Sequence, residues 1–241
     1  MQSPRPTSPP TRLRVRLLLA VGSVLVITGL VIGLYVVYAL VLTGRETAAV
    51  QSELREAWAA ADAEGIEPSG AGETGDDLDA GDDEGDAATA DAASPDAGVA
   101  LLEAHPEDGS ASPLGDEPLV VVSGTTYEEL KRGPGHYPHS AAPGEDGNVA
   151  VAGHRTTYGA PFFDLDALAA GDRLDLTDQE GERHHYEVRE QRVVQPHDTW
   201  VVGDDPLDLD APTLTLTTCH PRFSAAERLV VFAELVDAEE P

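Results

Sequence analysis

A long apolar run near the N-terminus limits this chain more than any other part of its sequence. Residues 17–44 carry no charged side chain, and residues 17–42 are almost wholly apolar. As a helix, these 26 residues rise about 1.5 Å each and exceed the roughly 30 Å hydrocarbon core of a bilayer. A signal sequence has a shorter apolar stretch, about 7 to 15 residues, and ends at a small-residue cleavage site. We therefore expect an uncleaved transmembrane helix over residues 17–42.

The charges on either side of this run predict its orientation. Residues 1–16 contain four arginines, whereas Arg45 and Glu46 are the nearest charges after the run. Positive charge is retained on the cytoplasmic side of a membrane helix. We expect residues 1–16 to form a cytoplasmic segment of a single-pass plasma-membrane protein, with everything after the helix extracellular.

Two segments of different character follow the apolar run. Residues 43–61 have a helix-favouring composition with Val50, Leu54 and Trp58 at a spacing of four, which predicts a juxtamembrane helix. Residues 62–96 carry 13 acidic side chains, no basic one and almost no large apolar one. Such a segment cannot bury enough surface to offset its ordering entropy. We expect a disordered acidic linker, with an acidic tail that binds a basic partner as the alternative.

The charge balance excludes one large class of partners. The chain has 44 acidic and 15 basic residues, a net charge of −29. A chain of this charge is repelled by phosphate backbones, so we expect no nucleic-acid partner.

The remaining segment, residues 97–241, is the expected folded domain. Short apolar runs separated by turn signals are typical of a closed or nearly closed β-barrel, which makes the domain all-β. We expect strands over residues 99–103, 119–122, 149–152, 173–176, 185–194 and 200–202, a closing pair near Leu214 and Leu229, a helical turn over 127–131, and a short helix over 165–168.

The only cysteine of the chain lies at the end of a predicted strand. Leu214 and Leu216 alternate with three threonines up to Cys219, and Pro221 then cannot continue a ladder. Arg228 begins the next apolar run, so two neighbouring strands would bring its guanidinium beside the sulfur. In an exported protein, a single cysteine indicates intermolecular pairing or a reactive thiol. A buried, inert cysteine is the alternative.

Three segments of this domain occur in an order that resembles a known family. They are residues 133–138 (GPGHYP), residues 147–163 (GNVAVAGHRTTYGAPFF) and residues 215–219 (TLTTC), the last followed by Arg228. Together they resemble the motifs of sortases, and their details are most similar to the class E sortases of actinobacteria. The resemblance covers roughly residues 99–236. It implies an eight-stranded β-barrel with short helices.

The resemblance also implies a catalytic set. Cys219 would be the nucleophile that carries an acyl thioester, and His154 would exchange a proton with it, because a free thiol is only a few per cent ionised near neutral pH. Arg228 would stabilise the oxyanion and the substrate, a role that commonly lowers a barrier by about 3 to 4 kcal/mol per donor. The alternative for Arg228 is an ion pair with Glu227, and Arg222 is the competing arginine.

Four further residues are expected near the substrate. Tyr137 and Tyr158 flank the histidine segment and would shape the recognition pocket, and Thr218 would offer a hydroxyl or amide near the oxyanion. His220 directly follows the nucleophile, where it would tune the pKa of the thiol or line the pocket. A plain loop residue is the favoured alternative for His220.

We expect no metal or other cofactor. A zinc set of His184, His185, Cys219 and His220 fits no familiar ligand spacing. Residues 204–210 carry carboxylates that could bind Ca²⁺, but the segment lacks the glycine and terminal glutamate of an EF-hand loop. A calcium site there stays open as the alternative to a solvated acidic loop.

The resemblance implies a membrane-anchored cysteine transpeptidase. Such an enzyme cleaves a C-terminal sorting signal of the Leu-Ala-x-Thr-Gly or Leu-Pro-x-Thr-Gly type between Thr and Gly, and transfers the surface protein to an amine of a peptidoglycan precursor. The chain carries neither pentapeptide and ends without an apolar tail, so we expect the enzyme and not its client. Two alternatives remain open: a pilus-polymerising sortase with a pilin lysine as acceptor, and a tethered β-barrel that binds peptides without catalysis.

Overall fold

The computed structural model describes residues 11–38, 43–64, 98–209 and 211–239. The chain forms two compact units, residues 1–42 and residues 43–241. Most of the expected acidic linker lies outside the described residues, as do residues 1–10 of the expected cytoplasmic segment.

The first unit is built on a single helix, α1, which spans Thr11–Val37. Within the described residues, α1 contains the only stretch long and apolar enough to cross a membrane, Val15–Val37. Most of the large apolar side chains of this stretch are exposed, as they are in a helix whose partner is lipid. The helix begins six residues before the expected transmembrane segment, and residues 39–42 at the other end of that segment are not described.

The second unit begins with a helix and continues into a closed barrel. Its elements are α2 (Thr43–Glu64), β1 (Ala100–His105), β2 (Leu119–Ser123), α3 (Tyr127–Leu130), β3 (Gly135–His136), β4 (Asn148–Ala152), β5 (Arg173–Thr177), β6 (Arg183–Val194), β7 (Thr213–His220) and β8 (Glu227–Glu239), with 3-10 helices at Leu165–Ala167 and Thr199–Val202. The strand order in the barrel is β1-β2-β3-β4-β7-β8-β6-β5. All neighbouring strands are antiparallel except β2 with β3 and β4 with β7, which are parallel. The expected eight-stranded barrel is therefore present.

Helix α2 packs against the outside of the barrel. Leu54 is buried in a small apolar cluster with Val120 and Val122 of β2. The Gln51 side chain donates to the carbonyl oxygen of Val120 at 3.0 Å and accepts from its amide at 2.9 Å. The segment that the sequence predicted as a juxtamembrane helix is therefore a helix three residues longer than expected, and it is part of the barrel unit.

The barrel interior is filled by the inward-facing side chains of its strands. Every second residue of a strand points inward, so alternate positions of each strand line the core. Burial of one such aliphatic or aromatic side chain contributes about 1.5 to 3 kcal/mol. The largest fully buried side chains of this core come from the strands and from the β4–β5 connection: Leu102, Val121, Leu174, Leu176, Tyr186, Leu214 and Leu216 on strands, and Phe162, Leu165 and Leu168 in the connection.

The strand predicted at residues 200–202 is wrong. The structure has a 3-10 helix at Thr199–Val202 in the β6–β7 connection. Trp200 stacks on Phe232 with ring centroids 5.9 Å apart, and Val201 is buried in a cluster with Val230 and Phe232. The side chains of this apolar segment therefore cover the outer face of β8, and its backbone adds no strand to the sheet.

One of the eight strands was not predicted from the sequence. It is β3, which is only two residues long. Gly135 pairs with Val122 of β2 on one side and with Ala152 of β4 on the other. A Cβ at Gly135 would lie 2.1 Å from the carbonyl oxygen of Gly124, so only glycine permits this close approach. A two-residue strand is too short to show the alternation of apolar and polar residues from which strands are predicted, and glycines and prolines surround it.

Candidate active site

The site begins with the alternation of side chains along β7. Leu214 and Leu216 belong to the interior core. Thr215 and Thr217 are opposite Phe232 and Val230, which belong to the cluster on the outside of the barrel. Successive side chains of a strand point to opposite faces, so Cys219 shares the outer face with these threonines. The thiol is partly exposed near the end of the strand.

Arg228 lies directly opposite the cysteine. Cys219 and Arg228 are Cα partners in the antiparallel β7–β8 pair. Side chains of directly opposed residues share one face, with Cβ atoms about 4.5 to 5.5 Å apart. The Arg228 guanidinium donates to the backbone carbonyl oxygens of Ala225 at 3.1 Å and Glu227 at 2.9 Å. Among the residues that the structure describes, no carboxylate forms an ion pair with it, so the alternative of a Glu227 ion pair is not present.

The competing arginine has a different environment. Arg222 donates to Asp164 at 2.9 Å and to Asp166 at 2.7 Å. Its guanidinium lies 4.5 Å from the centroid of the Phe163 ring. Arg222 is thus paired with two carboxylates, whereas Arg228 is the arginine that the β7–β8 register places opposite Cys219.

His154 reaches the same end of the barrel from the neighbouring parallel strand. Ala152 of β4 is the partner of Thr217 in β7, and the Gly153 amide donates to the Thr217 carbonyl oxygen at 3.0 Å. His154 and Cys219 each lie two residues beyond this pair. Parallel strands keep equivalent residues on the same face. His154 therefore lies just beyond the end of β4 that neighbours the Cys219 end of β7, and no hydrogen bond joins its Nε2 atom to the thiol.

The environment of His154 favours the neutral imidazole. Its Nε2 atom is buried and has no hydrogen-bond partner among the described residues. Burial lowers the pKa of His154 below the ordinary value because a half-buried site disfavours the charged form. The neutral ring is the form that accepts a proton from a thiol, so the imidazole is in the state that a proton acceptor requires.

Tyr158 packs on the catalytic histidine that the sequence predicts. Its ring centroid lies 5.1 Å from that of His154, and its backbone has a left-handed φ of 52°. The Tyr158 hydroxyl shares a hydrogen bond of 2.5 Å with the hydroxyl of Tyr127. The Lys131 ammonium lies 4.3 Å from the Tyr127 ring centroid. Tyr158 is therefore fixed on the histidine from the side of α3, and its part in substrate binding stays a prediction.

The other predicted tyrosine lies on the outer face of the β4–β7 pair. The Tyr137 hydroxyl shares a hydrogen bond of 3.2 Å with that of Thr217. The Tyr137 amide donates to the carbonyl oxygen of Ala150 at 2.9 Å. Tyr137 thus lies beside the strand that carries Cys219, next to Thr217, two residues before the cysteine, and its part in substrate binding stays a prediction.

Thr218 has a structural partner where the sequence assigned a substrate. Its hydroxyl donates to the Gly153 carbonyl oxygen at 2.7 Å, and the residue is 3% exposed. The hydroxyl therefore ties β7 to the residue before His154, and a contribution of the Thr218 amide near the oxyanion stays a prediction. A Cβ at Gly153 would lie 2.5 Å from the Phe162 ring, so the same position also needs glycine.

His220 is held by an arginine that the sequence analysis did not single out. Arg155 donates to His220 Nδ1 at 3.1 Å. Because Nδ1 accepts, the proton of the neutral ring is on Nε2. Arg155 is 2% exposed and pairs with Asp166 at 2.9 Å. Its position directly after His154 was the only signal in the sequence, and nothing local indicates that an arginine there is buried.

The zinc set weighed from the sequence does not come together. Cys219 is the partner of Arg228 in β8, whereas His185 is the partner of Asp237, nine residues further along that strand. Nine residues of strand at about 3.3 Å each separate the two ends by roughly 30 Å. His184 instead bonds to Asp178 at 2.8 Å.

Metal binding has little support near the thiol. In the described part of the chain, one group of three side chains could hold a metal ion, Asp178, Glu182 and His184, and it lies at the opposite end of the barrel. In the acidic loop, Asp205 accepts from the Leu209 amide at 3.0 Å, and residue 210 is outside the described residues. The calcium site in residues 204–210 stays the open alternative to the expected solvated acidic loop.

Comparisons with known proteins agree with this geometry. Residues 113–236 match the family described as the Sortase domain. Sortase D of Bacillus subtilis is 34% identical over 140 residues, 54% of this chain and 67% of that protein. Sortase SrtE2 of Streptomyces coelicolor is 27% identical over an alignment of 248 residues, 95% of this chain and 86% of that protein.

A solved structure is also similar. Sortase E from Streptomyces avermitilis matches with a TM-score of 0.51 and 34% identity, covering 59% of this chain and 90% of that chain. All three proteins are sortases, and two of them are named for the class that the sequence motifs resemble.

Proposed function

We propose that this chain, which belongs to the sortase family of cysteine transpeptidases, cleaves a C-terminal sorting signal between Thr and Gly and joins the released protein to a peptidoglycan amine. One observation carries the proposal. Cys219 and Arg228 are direct partners across two strands, and His154 follows β4, the strand that pairs with the cysteine strand on its other side. A nucleophile, a proton acceptor and a cation on one face are the groups that acyl transfer through a thioester requires.

The first half of the reaction forms the thioester. Neutral His154 takes the proton of the Cys219 thiol, and the thiolate attacks the carbonyl carbon of the threonine. The negative charge that develops on the carbonyl oxygen is stabilised by Arg228, a contribution of about 3 to 4 kcal/mol for a well-placed donor. The protonated His154 then gives its proton to the departing glycine amine. The C–N bond breaks and the acyl group stays on sulfur.

The second half transfers the acyl group. An acceptor amine attacks the thioester carbonyl, and neutral His154 removes the proton that the amine nitrogen loses. The C–S bond breaks and returns the thiolate of Cys219. With water in place of the amine, the same steps give hydrolysis, so exclusion of water by the bound peptide decides between the two products.

The signal and the location of the reaction follow from similarity and from the apolar helix. Two of the similar proteins are class E sortases by name, and the class resemblance favours Leu-Ala-x-Thr-Gly over Leu-Pro-x-Thr-Gly. Tyr137, beside the cysteine strand, is the residue that would contact the signal. The α1 helix would anchor the chain in the plasma membrane, with the arginines of residues 1–16 in the cytoplasm and the barrel outside.

The proposal is tested with the full chain in detergent micelles. The chain is mixed with a fluorescent Leu-Ala-x-Thr-Gly peptide and with a short peptide that carries a free amine as the acceptor. We expect a ligated product that joins threonine to the acceptor, faster than from a Leu-Pro-x-Thr-Gly peptide, and no product from Cys219→Ala. Ligation by the Cys219→Ala variant would remove the mechanism. Equal rates for both peptides would remove the proposed preference only.

A further inference from the structure

A buried arginine lies between the two segments that carry the reacting groups. Arg155 directly follows His154, and its side chain is 1% exposed. A buried charge is costly unless it is paired and hydrogen-bonded. The groups that bond to the Arg155 guanidinium therefore indicate why this charge is buried.

The guanidinium of Arg155 bonds to both segments. Its Nη1 donates to His220 Nδ1 at 3.1 Å and, at a longer 3.4 Å, to the carbonyl oxygen of Cys219. Its Nη2 pairs with Asp166 at 2.9 Å, and its Nε donates to the carbonyl oxygen of Phe163 at 3.4 Å. One planar group thus joins the backbone of the nucleophile and the residue after it to the segment that begins with the histidine.

A second arginine uses the same acceptors from the other side. Arg222, in the connection after β7, donates to the Phe163 carbonyl oxygen at 3.1 Å and to Asp166 at 2.7 Å. Burial would raise the pKa of Asp166, but the charges of Arg155 and Arg222 outweigh it and lower the pKa. The ionised carboxylate therefore holds both arginines, and through them the segment after Cys219 is fixed to the segment after His154.

We propose that Arg155 is a positioning residue for the transfer reaction, an inference that rests on the proposed function. It does not touch the reacting atoms. Arg155 is linked to His154 by the peptide bond, and to the Cys219 carbonyl oxygen and His220 by hydrogen bonds. These two links fix the position of the imidazole relative to the thiol. A misplacement of reacting groups by about 1 Å costs on the order of 10²-fold in rate, and this is the loss expected when Arg155 is removed.

The experiment compares Arg155→Gln with Arg189→Gln in the full chain. Arg189 is the control because its guanidinium is also held by an ion pair, with Glu187 and Glu234, but it lies on β6 and not on the segments that carry Cys219 or His154. Three quantities are measured: kcat and KM of thioester formation with the Leu-Ala-x-Thr-Gly peptide, and the rate of Cys219 alkylation by iodoacetamide at alkaline pH.

We expect Arg155→Gln to lower kcat by about 10²-fold with little change in KM, as for a misplaced reacting group. Its thiol should alkylate at the wild-type rate, because iodoacetamide needs the thiolate but not the histidine. Added methylguanidinium should restore part of kcat in Arg155→Ala and have no effect on Arg189→Ala. Arg189→Gln should behave as the wild type in all three measurements.

The outcomes separate this inference from the proposed function. If the wild-type chain forms no thioester, the proposed function fails. If it does, and Arg155→Gln forms it at the same kcat, the positioning role is overturned. If Arg155→Gln loses its native near-UV circular dichroism, Arg155→Lys and Asp166→Asn take its place. Wild-type kcat in both of these folded variants would equally overturn the role.

Discussion

Cys219 and Arg228 are direct partners across the β7–β8 pair, on the outer face of the barrel. The cation is bonded only to backbone carbonyl oxygens among the contacts in the described part of the chain. A substrate carbonyl that approaches the sulfur along this face therefore meets a guanidinium whose charge is not neutralised by a carboxylate. In the proposed function Arg228 is therefore the oxyanion donor, whereas Arg222 is bound to Asp164 and Asp166.

Replacing Arg228 by Gln should slow thioester formation by about 10² to 10³-fold, because one oxyanion donor contributes that much. Alkylation of Cys219 by iodoacetamide should change far less, since that reaction builds no oxyanion. Stopped-flow measurement of acyl transfer and of alkylation gives both rates. Arg189→Gln is the control. A wild-type rate of acyl transfer in Arg228→Gln would show that the oxyanion is stabilised elsewhere.

The buried imidazole of His154 makes stability depend on pH. Burial lowers its pKa in the folded state below the unfolded value near 6.5. Below that value the unfolded chain binds a proton that the folded chain does not, so stability falls as pH decreases through 6.5 and below. Urea unfolding at pH 7.5 and pH 5.5 should show a smaller loss on acidification for His154→Gln than for the wild type.

His136 also makes the free energy of unfolding depend on pH. Burial lowers the pKa of His136 as well, so the His154→Gln variant should keep part of the acid sensitivity. The double variant with His136→Gln should keep less. An identical pH dependence in the wild type and His154→Gln would contradict the buried, neutral state assigned to the imidazole.

The contact of α2 with the barrel predicts an effect on stability. Gln51 is 4% exposed and bonds to both backbone groups of Val120. Gln51→Ala leaves these groups unsatisfied and should cost about 1 to 3 kcal/mol. Chemical denaturation of the full chain measures this cost, with Glu53→Gln on the exposed side of α2 as the control. Equal stability of the two variants would mean that α2 is not held by this bond.

Gly153 should tolerate no side chain. A Cβ there would lie 2.5 Å from the Phe162 ring, and Phe162 is fully buried. Gly153→Ala should therefore destabilise the fold by about 1 to 3 kcal/mol, as overpacking does, and should lower activity by displacing His154. The double variant with Phe162→Leu should recover part of the stability, measured by thermal unfolding. If the double variant recovers no stability, the destabilisation by Gly153→Ala comes from the backbone and not from a clash with the Phe162 ring.

The sequence predicted the site best where the signals are local. Period-two alternation and Pro221 placed Cys219 at a strand end, and the next apolar run placed Arg228 on the neighbouring strand. The three ordered motifs predicted the family, which the comparisons confirm. Each motif and each strand pattern is formed by residues close together in the sequence, so no knowledge of the tertiary structure was needed.

The predictions failed where a residue's role depends on distant partners. Residues 200–202 have strand-like composition but pack as a 3-10 helix on Phe232. The pairing of Gly135 is decided by the strands on either side of it. Arg155 is buried because Asp166 and the carbonyl of Phe163 meet it in space. The partner of Gln51 lies 69 residues further along the chain.

The most direct test of the central claim is the intact mass of the chain after incubation with a Leu-Ala-x-Thr-Gly peptide in the absence of an acceptor amine. Convergence of Cys219, His154 and Arg228 on one face predicts an adduct equal to the peptide up to threonine. The adduct should be on Cys219, be released by hydroxylamine, and be missing from Cys219→Ala. A wild-type chain of unchanged mass, or an adduct that persists in Cys219→Ala, would contradict the account.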